Sequence, residues 1–333
     1  MAKIRKLLGV KKVGHCGTLD PFASGVLPIC VGSATRVVRY MDKYDKTYRC
    51  TAHFGAYTDT QDREGKITGG KMPSPEELIL MKADDFSSLR ALFAALNGDM
   101  DQMPPMYSAI KMGGHPLYEY ARKGITLERL TRRIHVYDCI VHKISADEML
   151  LADFSLSCSK GTYIRTICDE LGRDSGFGAY ADALERTRCG PFLIDASFTL
   201  EEIEQLFTSG QTSEFLLPEE LAVAHMPRFE VSQQEADNLR LGRQMPLEYF
   251  EDRMAISGPA ATEGTEPDEE AEITEEAEPA QESDPDEQNA LEDPDKPAAA
   301  PRFCAYYRGE LLAIVFPDEK EGRMILRIER MLA

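Results

Sequence analysis

The chain has 333 residues, 43% of them hydrophobic, which is enough for one large and one small globular unit with a sizeable core. Eight scattered cysteines without a C-x-x-C pair argue against a disulfide framework or a zinc ribbon, and no apolar run reaches the ~18–20 residues of a membrane span. The net charge of −19 would disfavour a polyanion partner if it were evenly spread, but residues 261–300 hold 16 acidic and one basic residue, leaving only −4 for the rest. A basic start with neither a long apolar stretch nor a cleavage site predicts a cytoplasmic protein with free thiols.

Residues 3–8 read as a short helix stopped by Gly9, and residues 22–31 as strand and turn broken by Gly25 and Pro28. Alternation over 46–55 predicts a half-buried strand, with Tyr48, Cys50, Ala52 and Phe54 on one face. Ser74-Pro75-Glu76-Glu77 is a capping box that starts a helix. A second helix carries Leu89, Leu92, Phe93 and Leu96, with Gly98 as its stop. Residues 148–158 read as a strand, and Ile164, Ile167, Cys168 and Leu171 mark a helix ending near Gly172. Thr199 with Glu202 and Ser232 with Glu235 form two further capping boxes. Strands and helices alternate irregularly, which predicts an α+β fold rather than repeated βαβ units.

From about 255 to 300 the chain is Glu, Asp, Pro and Ala, a composition that cannot bury enough surface to offset ordering and predicts a disordered, passive insertion. Strand patterns return at 303–307, 311–316 and 324–328, so the insertion is expected within a small C-terminal β domain over 228–333.

Asp20 stands before Pro21 and after Gly14 and Gly17, a combination that by itself describes a turn. Its context is more specific. The run Gly14-His15-Cys16-Gly17-Thr18-Leu19-Asp20-Pro21, then Gly25-Val26-Leu27-Pro28 and Gly32-Ser33-Ala34-Thr35-Arg36, resembles the signature of bacterial tRNA pseudouridine-55 synthases, the B-type (TruB) family. Lys46-Thr47-Tyr48-Arg49, Thr58-Asp59-Thr60-Gln61-Asp62-Arg63-Glu64-Gly65 and Ser159-Lys160-Gly161-Thr162-Tyr163-Ile164-Arg165 are similar to three more family segments, in the same order. The resemblance covers about residues 3–225, and Cys16 stands where the family commonly has Thr or Ser.

The resemblance implies a pseudouridine synthase fold, with a central, mostly antiparallel mixed sheet flanked by helices over 1–227 and a PUA-like β domain over 228–333. It implies Asp20, Tyr48 and Arg165 as catalytic, with Arg165 paired to the aspartate. His15, Arg36, Asp62, Tyr163 and Leu184 would bind or frame the substrate: His15 displacing the target nucleotide, Asp62 ordering its loop, Tyr163 and Leu184 lining the pocket. Residues 105–111 and 117–124 resemble an RNA-clasping loop. The implied substrate is the T-arm of tRNA, acted on by a monomer without a metal or organic cofactor.

The residue types fit that chemistry. Isomerising a uridine breaks one bond to the ribose and forms another without redox change, so an ionised carboxylate held by a guanidinium is a sufficient centre. Whether it attacks the uracil or the ribose is open. A base taken out of folded RNA needs aromatic faces, which Tyr48 and Tyr163 supply. Arg5, Lys6, Lys11 and Lys12, and a second group of Arg122, Lys123, Arg129, Arg132 and Arg133, offer cations for RNA. The Asp59–Glu64 acids fail the spacing of a calcium loop. A guide-RNA-dependent synthase and a non-catalytic RNA chaperone are the alternatives; the Val26–Gly32 segment disfavours the first and the retention of Asp20, Tyr48 and Arg165 together disfavours the second.

Family members carry a strand and a K-P-x-G-x-T/S segment ahead of the helix that here follows Met1. If the chain begins at Met1, lower stability is expected from an exposed sheet edge.

Overall fold

The structure, a computed structural model, describes residues 1–254 and 300–332. The expected acidic insertion therefore lies outside the described residues, apart from its last position. Two compact units emerge: Thr18–Leu27 with Lys43–Ser197, and Met1–Gly17 with Pro28–Asp42 and the described part of Phe198–Ala333.

The first unit is built on one sheet. Its strands run Phe192–Leu193, Ala179–Cys189, Lys46–Phe54, Leu150–Cys158, Arg132–Ala146 and Gly98–Gln102 in spatial order, and all these neighbours are antiparallel. The two-residue strand Ser24–Gly25 adds a parallel pairing to Ala179–Cys189, making the sheet mixed but mostly antiparallel. Alternation sets the register: Cys50, Ala52 and Phe54 are buried, as are Leu150, Ala152, Phe154, Leu156 and Cys158 on the neighbouring strand. Phe93, from the helix Ser87–Ala94, sits between Phe54 and Phe154, with ring centroids at 6.5 and 5.0 Å. The amphipathic helix Ile164–Ser175 covers the same core with Ile164, Ile167, Cys168 and Leu171.

Two expected helix ends move. The Ser87–Ala94 helix closes at Ala95, and Gly98 instead opens the next strand, because Leu96 must turn into the core. The Ile164–Ser175 helix continues past Gly172 to a left-handed Gly176. Gly172 is an interior packing position rather than a stop: a Cβ there would lie 2.0 Å from the Ala179 nitrogen. The three capping boxes form as expected, with Ser74, Thr199 and Ser232 each accepting from the N3 backbone.

In the second unit Val13–His15 pairs with Ile29–Val31, and Lys3 bridges Glu201 and Glu204 between the helices Ala2–Leu8 and Leu200–Thr208. A five-stranded sheet of Arg228–Glu230, Phe303–Tyr307, Glu310–Lys320, Arg323–Met331 and Met245–Pro246 closes over Phe229, Leu239, Phe250, Leu312, Val315 and Leu326. Arg253 clamps the Ser232 cap by pairing with Glu235 at 2.7 Å, and this pairing holds the Glu235 carboxyl down at about 2. The fold class is the α+β type expected, with a small C-terminal β domain. Among the described residues no helix is long and apolar enough to cross a membrane.

Candidate active site

Asp20 sits in a turn closed by a hydrogen bond from Ala23 N–H to its own carbonyl, 2.9 Å. The loop that follows is fastened to the sheet by Arg186. Arg186 Nε donates to Val26 O at 2.7 Å, and Val26 N–H donates to Arg186 O at 2.8 Å. Gly25 lies between these bonds with φ +108°, and a Cβ on it would meet Arg186 O at 2.2 Å, so only glycine lets loop and strand approach this closely. Arg186 is 1% exposed, an inward-facing cation on a strand.

Arg165 enters from the first turn of its helix, 3% exposed. Its Nε donates to Asp20 Oδ2 and its Nη2 to Asp20 Oδ1, both at 2.8 Å, in a bidentate fork. Nη2 also reaches Tyr107 O at 2.8 Å, Nη1 reaches Thr60 O at 2.9 Å, and Asp62 Oδ2 lies 3.6 Å from Nη1. Burial pushes the Asp20 carboxyl above its ordinary value; Arg165 pulls it back and Asp62 adds to the upward push. The carboxylate keeps 31% side-chain exposure, so the fork holds it from behind while leaving it open to a ligand.

Asp62 is itself tied down: Oδ1 accepts from Thr60 Oγ1 at 2.6 Å and from Glu64 N–H at 3.0 Å, and its carbonyl accepts from Thr58 Oγ1 at 2.7 Å. Arg63 N–H then bonds Ala181 O at 3.1 Å, fixing the loop against the sheet. Tyr163 is the residue before the Arg165 helix. Gln102, 1% exposed, clasps its backbone with two bonds, accepting from Tyr163 N–H at 2.8 Å and donating to Tyr163 O at 3.1 Å.

Tyr48 is half-buried and lies opposite Arg186 across the sheet. Burial raises its hydroxyl well above the ordinary value, and a hydrogen bond with Arg186 opposes that rise. Leu184 lies opposite Cys50, 7% exposed, on the same face as Arg186. Asp20, Tyr48, Asp62, Tyr163, Arg165 and Leu184 thus all belong to one unit, whereas His15 and Arg36 belong to the other. His15 ends the Val13–His15 strand, and Arg36 is exposed and donates to Met331 O at 2.9 Å. Of the second basic group, Arg133 is taken up by Asp99 and Asp101 at 3.5 and 3.3 Å, and Arg122 stacks over Tyr118 at 5.1 Å.

The sequence did not point to Arg186, Gln102 or Thr60. Arg186 had a signal, since it stands two residues from Leu184 at inward parity. Thr60 and Tyr107 act on Arg165 through backbone carbonyls, which no residue identity reveals.

The profile of the TruB family pseudouridylate synthase N-terminal domain matches residues 5–164, and that of the tRNA pseudouridylate synthase B C-terminal domain matches 165–224. The tRNA pseudouridine synthase B of Geobacillus kaustophilus is 39% identical over 259 residues, 76% of this chain and 88% of that protein. The chain belongs to the TruB family. A second TruB relative, the tRNA pseudouridine synthase B of Bacillus licheniformis, is 43% identical over 232 residues, 69% of this chain and 73% of that one. Among solved structures, a Cbf5–Nop10–Gar1 complex matches with TM-score 0.64 at 21% identity, over 100% of this TruB chain and 80% of the other. An archaeal box H/ACA sRNP Nop10–Cbf5 complex matches with TM-score 0.62 at 18% identity, over the same shares. These two likenesses establish the fold.

Proposed function

We propose that this TruB-family chain isomerises the uridine at position 55, in the T-arm of tRNA, to pseudouridine, with Asp20 as the reacting carboxylate. The observation that carries the reading is the bidentate 2.8 Å fork from buried Arg165 onto a carboxylate that remains open on its other side. Such a fork keeps the carboxylate ionised and aimed, which a nucleophile or charge stabiliser needs. The ribose–N1 bond breaks, the ribose–C5 bond forms, C5 loses a proton and N1 gains one, so substrate and product have the same composition.

In this reading Tyr48 and Tyr163 frame the flipped base and Leu184 closes the apolar wall. The hydroxyl of Tyr48 is protonated at neutral pH, and burial makes its proton still harder to release. It would therefore accept the C5 proton only while passing on its own, with Arg186 steadying the oxygen. Asp62 holds the loop that supports Arg165. His15 would displace the target nucleotide from the RNA stack and Arg36 would meet a phosphate, both as part of the RNA-facing surface. Residues 1–227 would form the catalytic domain and 228–333 a PUA-like RNA-binding domain. The enzyme would act in the cytoplasm as a monomer.

The test is incubation of the purified chain with an isolated T-arm hairpin and no guide RNA, assayed for pseudouridine, beside Asp20→Ala. Product from the parent and none from an Asp20→Ala variant that still binds the hairpin is expected. Failure of the parent to form product without a guide would overturn the assignment.

A further inference from the structure

Gln61 has φ +62°, a left-handed backbone that residues other than glycine adopt rarely and at a cost. Its conformation is held from several directions. Gln61 N–H donates to Thr58 O at 3.2 Å, and Gln61 O accepts from Ala181 N–H at 3.0 Å. On the side chain, Oε1 accepts from Thr166 Oγ1 at 3.0 Å. The amide therefore grips the helix that carries Arg165, one residue beyond it.

The neighbours of Gln61 in sequence are the two groups that meet Arg165 from this loop. Thr60 O accepts from Arg165 Nη1 at 2.9 Å, and Asp62 Oδ2 lies 3.6 Å from the same nitrogen. In an extended chain a carbonyl and a carboxylate on either side of one residue do not converge on one atom. The left-handed turn at Gln61 makes them do so, and its amide keeps the turn registered on the helix.

We propose that Gln61 is a positioning residue: by docking on Thr166 it sets the orientation of the Arg165 guanidinium and, through the fork, that of Asp20. This rests on the reading of Asp20 as the reacting carboxylate. A merely structural Gln61 would stabilise its loop without touching the chemical step.

Single-turnover conversion of the T-arm hairpin separates these. Gln61→Ala and Thr166→Val are each expected to slow the chemical step about ten- to a hundred-fold, the scale of a small misplacement of reacting groups. Hairpin affinity should stay within about two-fold. The double variant should be no slower than the slower single one, because both remove one contact. Thr166→Ser, which keeps the hydroxyl, should restore the rate. Gln61→Gly, freed of the left-handed cost, should fold at least as stably as Gln61→Ala and be equally slow. In Gln61→Ala the acid limb of the rate should move to higher pH, since a loosened Arg165 draws Asp20 down less. Rates within about two-fold of the parent for Gln61→Gly or Thr166→Val, or defects that multiply in the double variant, would overturn the proposal. Asp20→Ala in the same assay keeps the two readings apart: if it still forms product, the Asp20 assignment itself is wrong and this inference goes with it.

Discussion

Replacing Arg165 by lysine keeps the positive charge and removes the fork. The guanidinium makes four hydrogen bonds of 2.8–2.9 Å, two to Asp20 and one each to Thr60 O and Tyr107 O. An ammonium is a point charge with three donors and no planar pair, so it cannot reproduce that set. Losing one bond to the carboxylate removes ~1.5–3 kcal/mol, and leaving one buried carbonyl unmet costs about 1–3 kcal/mol. The folded state should therefore lose roughly 3–5 kcal/mol, within the margin of a typical domain. If about 2–3 kcal/mol of this falls on the aiming of Asp20, the chemical step slows by roughly two orders of magnitude. The pH dependence adds a second reading. The folded value of Asp20 already lies above its unfolded value because burial outweighs Arg165. Its contribution to stability is thus complete below the ordinary carboxylate value of 3.8 and is lost as pH rises through the folded value. A lysine that draws Asp20 down less makes that loss larger. The gap in melting temperature between parent and Arg165→Lys should widen from acid to neutral pH, while the acid limb of the single-turnover rate moves upward. A rate within about three-fold of the parent together with an unmoved acid limb would refute the reasoning.

Two other outcomes follow from the geometry. Gly25→Ala forces a Cβ to within 2.2 Å of Arg186 O at φ +108°, so thermal melting should show a loss of at least ~2 kcal/mol, and pseudouridine formation should fall even at temperatures where the variant stays folded. Glu170, on the Arg165 helix, is pushed up to about 7 by burial, with Asp169 and Asp174 adding to the rise and Arg173 opposing it. Because the folded value exceeds the ordinary 4.5, stability is lost as pH rises from about 4.5 through about 7. Glu170→Gln should raise stability at pH 8 by about 1–3 kcal/mol, seen as a higher melting temperature, and have little effect at pH 4; equal effects at both would dismiss the assignment.

Much of the site's cast was legible because ordered motifs carry residue identity: Asp20, Tyr48, Asp62, Tyr163 and Arg165 stand in four separated segments, and the fold brings them into one unit. Helix starts were also legible, since Ser74, Thr199 and Ser232 announce themselves through a glutamate three residues on. The long strands Arg132–Ala146 and Ala179–Cys189 were less visible. Both contain register shifts, which break the period of two on which strand reading depends. The Arg132–Ala146 strand also opens with two arginines that read equally well as part of a basic RNA-facing segment. Gly98 and Gly172 misled for a different reason: a glycine marks either a helix stop or a close approach, and only the neighbouring strand decides which. The supports of Arg165 stayed hidden because Thr60 and Tyr107 offer peptide oxygens, which are common to every residue.

Four of the five N–H groups of the Arg165 guanidinium are used by Asp20, Thr60 and Tyr107, and Asp62 lies 3.6 Å from Nη1. At 3% exposure, this cation offers an incoming anion almost no surface. Inorganic phosphate or sulfate entering beside Asp20 would meet a carboxylate and no accessible guanidinium from Arg165. Competition by such anions should therefore act where the RNA backbone lies, leaving the reacting centre indifferent to the salt that weakens the complex.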